Sequence, residues 1–260
     1  MKEFHVPAGG SLAVLALALG FASTANGQQA GPRSAPAPTP PPMGFTASPS
    51  RASSPPPAAK YEDSVSQRSF VLDRSGDGPL LKFDDSPEVF ALRATSAQRG
   101  DDFLRNDAGD LMLRVTEAGN VIAYLGAKTG APADIAGIAA PLDAPAMTGS
   151  LTQRVKVAAG NLGKMAGHDV TIFGTAAFGA DEEWAADALM MTVMGVERAD
   201  KAAHGAVQGL KSVRLVKSAT PTTAFRDGEL LLGVNPLAGY AGRPSSEAVA
   251  KAIAVEKPRS

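Results

Sequence analysis

Residues 69–93 read SFVLDRSGDGPLLKFDDSPEVFALR, and this stretch decides the fold. Short apolar runs alternate with tight polar turns that contain Gly, Asp or Pro, and the same rhythm continues to residue 125. Runs of this length between such turns are typical of consecutive antiparallel strands. We therefore predict an antiparallel β-meander domain over residues 61–127.

The second half of the chain alternates between helical and extended patterns. The segment SLTQ at 150–153 has the form of a capping box ahead of an apolar stripe, which predicts a helix. Asp227-Gly228 lies between two short runs and predicts a two-residue hairpin loop. The predicted order over residues 150–260 is helix, strand, helix, three strands and a last helix. The fold class is therefore α+β, with the β-meander first and this mixed half second.

Two segments of biased composition separate these parts. Residues 28–60 contain half of the 20 prolines. Such a segment buries too little apolar surface to offset its ordering entropy, so we predict a disordered Pro-rich linker. Residues 128–149 are rich in Ala, Gly and Pro, and they are predicted to connect the two folded parts.

The N-terminus has the features of an export signal. Residues 11–22 form an apolar run that is shorter than the roughly 20 residues needed to span a bilayer, and small residues follow it. This arrangement predicts a signal peptide over residues 1–27, cleaved after Ala25 or Gly27, and hence a periplasmic or secreted protein. The alternative is an uncleaved run that anchors the chain, which is the one membrane association that we predict.

Composition excludes several function classes. The chain of 260 residues has no cysteine and a formal net charge of −1. Disulfides, thiol nucleophiles and Cys-ligated metals are therefore excluded, and no overall basic field favours nucleic acid. The sequence also lacks the G-x-S-x-G and H-E-x-x-H patterns of serine hydrolases and zinc proteases.

One turn has the spacing of a calcium-binding loop. Its oxygen ligands at positions 1, 3, 5 and 12 would be Asp73, Ser75, Asp77 and Asp84, with Gly78 at position 6. Calcium takes roughly 6–8 oxygen ligands, so it needs a dense cluster of this kind. Predicted strands flank the loop where an EF-hand has helices, and Asp stands at position 12 instead of Glu. A solvated hairpin turn is the alternative interpretation.

Two other groups of residues have a functional and a structural interpretation. One interpretation of the acidic loops at 73–85 and 101–110 is that they supply the paired carboxylates of an unusual hydrolase. The other interpretation is that they are solvated turns. The segment GRPSSE at 242–247 binds an anion at a helix N-terminus, or its serines only cap the helix.

Three methionines lie close together in the second predicted helix. Met190, Met191 and Met194 form an adaptable binding surface, or they belong to the core.

Four segments carry a resemblance to a known family: FVLDRSG, LKFDDSPEVFALR, RGDDFLRNDAGDLMLRVT and NPLAGYAGRPSSEAVAKAI. They resemble an uncharacterised family of secreted alphaproteobacterial proteins with only a "domain of unknown function" label, over residues 61–256. The resemblance implies export and the extent of the folded part, and it transfers no catalytic residue.

From these observations we predict a non-catalytic exported protein with a binding or structural role in the periplasm or envelope. An envelope protein is the expected partner, nucleic acid is not, and no cofactor is expected apart from calcium at the loop described above. The alternatives are a periplasmic hydrolase that uses its loop carboxylates, and a secreted domain that calcium stabilises.

Overall fold

The computed structural model describes residues 56–125 and 129–255, without the side chain of Gln98. These residues belong to one compact unit. They form a nine-stranded sheet, a four-stranded sheet and three α-helices, which confirms the α+β class with the meander first. The predicted signal peptide and most of the predicted linker lie outside the described residues. Within them, no helix is long and apolar enough to cross a membrane.

The first sheet is an antiparallel meander, as predicted. Its strands are β1 (Ala58–Asp63), β2 (Ser69–Asp73), β3 (Leu80–Phe83), β4 (Val89–Ala91), β5 (Arg93–Ser96), β6 (Asp102–Arg105), β7 (Leu111–Val115), β8 (Val121–Ala123) and β9 (Ala131–Ile138). Their order in space is β4-β3-β2-β1-β9-β8-β7-β6-β5, and each pairs antiparallel with its neighbours.

The two edge strands of this sheet are neighbours in the chain. β4 ends at Ala91 and β5 begins at Arg93, so only Leu92 separates them. The sheet must therefore curl until its edges meet at this residue, and we call it the closed sheet. A closed sheet of about eight strands has an interior just wide enough for side chains to fill. The interior contains Ala59, Tyr61, Phe70, Leu72, Leu81, Phe83, Phe90, Leu104, Leu113 and Val121.

Successive turns of the closed sheet alternate between its two ends, because every neighbouring pair is antiparallel. The turns after β2, β5 and β7 lie at one end, which we call the first end. The turns after β1, β3, β6 and β8 lie at the other, the second end.

Strands lie inside the two segments that were predicted as a connection and a linker. Residues 128–149 are not only a connection, because Ala131–Ile138 form β9 between β1 and β8. Only Ala133 of this strand is buried, so backbone pairing on both sides holds it, and backbone pairing leaves no apolar pattern. The linker predicted over 28–60 also extends too far, because β1 begins at Ala58.

The second half follows the predicted order. Its elements are α1 (Leu151–Ala166), β10 (Thr171–Phe173), α2 (Glu182–Ala202), β11 (Ser212–Lys217), β12 (Thr222–Arg226), β13 (Glu229–Val234) and α3 (Ser246–Val255). The four strands lie in the order β10-β11-β13-β12. β10, β11 and β13 are parallel, and β12 is an edge strand antiparallel to β13.

Local sequence signals place these elements as predicted. Ser150 Oγ accepts a hydrogen bond of 3.2 Å from the backbone N–H of Gln153 and caps α1. Gly167 ends that helix with φ of 80°. Between β12 and β13, Asp227 and Gly228 have φ of 52° and 83°, as a type I′ loop requires.

The three helices cover one face of the four-stranded sheet. The buried residues of that face are Val213, Leu215, Leu230, Leu232 and Val234, and they share one core cluster with α1, α2 and α3. The opposite face carries the exposed ion pair of Arg214 with Glu229. The described chain therefore has two cores, one inside the closed sheet and one beneath the helices.

Candidate functional site

The predicted calcium loop has its first residue engaged within the protein. Asp73 is buried, and its Oδ1 accepts hydrogen bonds from the N–H and Oγ of Ser75 at 2.9 and 2.6 Å. Its Oδ2 accepts a hydrogen bond of 2.7 Å from the N–H of Leu142. Burial acts to raise the pKa of Asp73, but these hydrogen bonds together outweigh it and lower the pKa. The carboxylate thus fastens the segment after β9 to the first end.

The last residue of the predicted loop lies at the opposite end of the closed sheet. β2 and β3 pair Asp73 with Leu80. Asp84 lies four residues after Leu80, about 14 Å along the strand direction at about 3.4 Å per residue. There Asp84 forms an ion pair of 2.5 Å with Lys60. The predicted ligands therefore do not surround one point. Across the described ranges, no three His, Cys, Asp or Glu residues are grouped to hold a metal ion.

The acidic loops proposed for a hydrolase are also divided between the two ends. Residues 73–77 and 101–102 lie at the first end, whereas 84–85 and 107–110 lie at the second. Asp101 accepts a hydrogen bond of 2.8 Å from Arg114 Nε, which lowers the pKa of Asp101. Neither acidic loop forms a single catalytic group, because each is split by a strand.

The segment GRPSSE begins α3, and carboxylates of this chain occupy its N-terminus. Ser245 Oγ accepts a hydrogen bond of 3.1 Å from Ala248 N–H, which is ordinary capping. The N–H of Ser245 donates to Asp107 and the N–H of Ser246 donates to Glu88, both at 2.8 Å. The carboxylates of Asp107 and Glu88 thus occupy the helix N-terminus that was considered as a site for an external anion. The helix dipole favours negative charge at this position.

A buried polar cluster joins the two cores, and we call it the junction. Arg243 Nε donates to Asp187 of α2, while its Nη2 donates to the carbonyl of Val89 in β4 at 2.9 Å. Beside it, Glu88 is 0% exposed and accepts a hydrogen bond from Arg198 Nη2 at 3.3 Å. The junction therefore connects β4 of the closed sheet with α2 and α3.

Burial dominates the ionisation of the junction. It raises the pKa of Glu88, although the hydrogen bonds from Ser246 act in the opposite direction. It also raises the pKa of Asp187 against the opposing charge of Arg243. Buried acids with raised pKa values occur at active sites. Here, however, Asp187 and Glu88 accept hydrogen bonds from Arg243 and Ser246, and each of these bonds links two elements of the fold. Neither acid could be predicted from the sequence, because a single acid in an apolar stretch resembles a solvated one.

The methionines of α2 divide between core and surface. Met191 is fully buried, which agrees with the core interpretation. Met190 and Met194 are half-buried and line a groove of about 180 Å³ between α1 and α2, beside the exposed Val157. Met191 therefore belongs to the core, whereas Met190 and Met194 lie at a surface groove, where an adaptable binding surface stays a prediction.

A larger groove of about 480 Å³ runs along the outer edge of β12, and we call it the edge groove. Its lining consists of β12, the α3 residues Ala248, Lys251, Ala252 and Val255, and Arg93 and Asp107 of the closed sheet. The sequence does not predict this groove, because it indicates the β12–β13 hairpin without showing which strand lies at the edge.

The outer side of β12 presents unpaired backbone groups. A two-residue loop is closed by a hydrogen-bonded pair, here Arg226 with Glu229, and such pairs alternate along the ladder. The N–H and C=O groups of Thr223 and Phe225 therefore point away from β13. No other described element supplies backbone hydrogen bonds to them. β12 is thus an open edge beside a helix.

Comparison with known proteins adds a family and no activity. Residues 42–253 match the model of a family described as "Domain of unknown function (DUF4908)". No curated protein and no solved structure matches the chain.

Proposed function

The chain belongs to the domain-of-unknown-function family DUF4908, and from this premise we propose that it is an exported, non-catalytic module that binds another protein through the edge groove. The open edge of β12 is the observation that carries the proposal. An exposed strand edge is a template for another strand, and natural proteins usually block or cover such edges. Here the edge lies in a groove beside α3, which is the arrangement of strand-adding peptide sites.

Export is the second part of the proposal, and the N-terminal sequence supports it. The apolar run at 11–22, followed by small residues, has the shape of a cleaved signal. The partner would then be a periplasmic or envelope protein. An uncleaved run would instead tether the same domain to the membrane, and the partner class would be unchanged.

The hydrolase alternative receives no support from the carboxylate geometry. An enzyme of that type brings two carboxylates of different loops into one cleft. In the described chain, each acidic loop is itself divided between the two ends of the closed sheet. At the first end, Asp73 accepts hydrogen bonds from Ser75 and Leu142, and Asp101 accepts one from Arg114, so both carboxylates already have partners within the protein. The buried acids of the junction are occupied by Arg243 and Ser246.

Crosslinking in the native cells tests the proposal. The tag is placed at the C-terminus, so that the N-terminal signal stays intact, and the wild type is compared with Thr223→Ala and Thr223→Pro. Proline removes the outward N–H of residue 223 and is tolerated on edge strands, whereas alanine keeps that N–H. We expect one envelope protein to be enriched with the wild type and Thr223→Ala, and lost with Thr223→Pro.

Two results would overturn the proposal. Equal enrichment with all three variants would place the partner elsewhere on the surface. No enrichment, with the protein free in the soluble periplasmic fraction, would favour the enzyme alternative and justify a substrate screen.

A further inference from the structure

We infer that the edge groove takes an extended acidic peptide, which adds to β12 as a fifth strand of the four-stranded sheet. This inference rests on the proposed function and specifies its ligand class. It combines three properties of the groove: the direction of its backbone groups, its charge and the small side chains on the facing helix.

The backbone of β12 sets the extended conformation of the ligand. Thr223 and Phe225 each offer one N–H and one C=O on the open side, two residues apart. This is the spacing of a strand ladder, so a ligand that satisfies all four groups must itself be extended. A helical ligand would leave these groups without partners.

The charge of the groove favours acidic side chains. Arg93 and Arg226 line it, and neither forms an ion pair within the described residues. The third cation, Lys251, is already paired with Asp110 at 2.9 Å, and the single acid, Asp107, accepts the N–H of Ser245. Among the described residues, these two arginines have no carboxylate partner, and charge complementarity of this kind steers specific association.

The facing helix limits the size of what the groove admits. Ala248 and Ala252 lie one turn apart on the side of α3 that lines the groove, and Val255 lies at its end. Because successive side chains of a strand alternate between two faces, one set of ligand side chains would contact these small apolar residues. The other set would point to the face of β12 that carries Arg226. The preferred ligand therefore alternates small apolar and acidic residues.

A second copy of this chain fits the groove less well. Pairing two β12 strands would bring Arg93 and Arg226 of both copies into one groove without adding a carboxylate. Like charges brought together oppose association, so an acidic partner is the better complement.

Fluorescence anisotropy with synthetic peptides tests the inference on the purified full-length chain. The probe is a labelled eight-residue peptide of alternating valine and aspartate. One control peptide carries lysine at every aspartate position, and the other carries N-methyl groups on alternate backbone nitrogens. We expect binding of the first peptide alone, because the controls remove the charge match and the backbone donors respectively.

Protein variants locate the binding. Thr223→Pro should raise the Kd about tenfold or more relative to Thr223→Ala, which keeps the outward N–H; tenfold is about 1.4 kcal/mol. Arg226→Gln should raise the Kd several-fold at low salt, while Lys164→Gln, the same charge change on the exposed side of α1, should not. Thermal melts establish that each variant is folded.

The outcomes separate this inference from the proposed function. Equal binding of all three peptides would overturn strand addition. A wild-type dimer that Thr223→Pro dissociates would overturn the peptide in favour of a second copy. If no peptide binds but envelope crosslinking still depends on Thr223, the inference fails and the proposed function stands.

Discussion

The closed sheet and the four-stranded sheet use their edges in opposite ways. In the closed sheet, the two edge strands are joined through Leu92, and the interior is filled by side chains. In the four-stranded sheet, β12 keeps an open edge beside α3. An open strand edge keeps backbone groups available to a ligand, and at β12 these groups lie in a groove beside a helix. We therefore propose that the closed sheet is the scaffold and that the open sheet carries the binding surface.

The largest expected effect tests how differently the two sheets depend on their aromatic residues. Phe70 is fully buried in the closed sheet and stacks on Tyr61 with ring centroids 5.6 Å apart. Phe225 of β12 is only partly buried. Phe70→Ala should lower the free energy of unfolding by about 3–5 kcal/mol, and Phe225→Ala by much less. Urea denaturation measures both, and equal losses would contradict the division into scaffold and open edge.

The second prediction breaks the junction between the two parts. Arg243→Met leaves the buried carboxyl of Asp187 without its partner, which should lower the free energy of unfolding by about 3 kcal/mol. The double variant Asp187→Leu with Arg243→Met should recover most of this loss, because no buried charge is then left unpaired. Urea denaturation of the single and double variants is the measurement. A double variant as unstable as the single one would show that packing, not charge, dominates here.

A smaller expected effect is the change of stability with pH, which has opposite signs for Glu88 and Asp73. Burial raises the pKa of Glu88 above its usual 4.5, so the stability that its neutral form contributes is lost as the pH rises through the raised value. The pKa of Asp73 is lowered, so its contribution is lost as the pH falls through the lowered value.

Urea denaturation at several pH values checks both signs. The wild type should lose stability relative to Glu88→Gln as the pH rises above about 4.5, the usual glutamate value. Relative to Asp73→Asn, it should lose stability as the pH falls below the usual aspartate value. The same sign at both sites would contradict the environments described for these two carboxyl groups.

The smallest expected effect concerns calcium. Asp73 and Asp84 lie at opposite ends of β2, so calcium binding by this loop would require β3 to leave its partner strand. We therefore expect 1 mM calcium and EDTA to give the same melting temperature. A ligand far above its Kd stabilises the native state, so a clear rise with calcium would restore the calcium loop as a site.

Local signals determined much of the fold before any tertiary contact was known. The turns around Gly76 and Gly109, the cap at Ser150 and the Asp227-Gly228 loop depend on neighbours in the chain, and the elements follow them. Strand β9 was not predicted, because pairing with β1 and β8 holds its backbone. β1 is distant from β9 in the chain, and β8 is separated from it by a turn. A strand that contributes one buried side chain has no pattern to read.

The sequence by itself determined the α+β class, the β-meander and the order of the elements in the second half. Only the tertiary structure decided which carboxylates meet, which strand is left at an edge and which cations stand beside it. Glu88 and Ser246 are 158 residues apart, and their contact exists only because the closed sheet packs on α3. Local sequence governs backbone conformation over a few residues, whereas edges, grooves and buried pairs arise from contacts between distant segments.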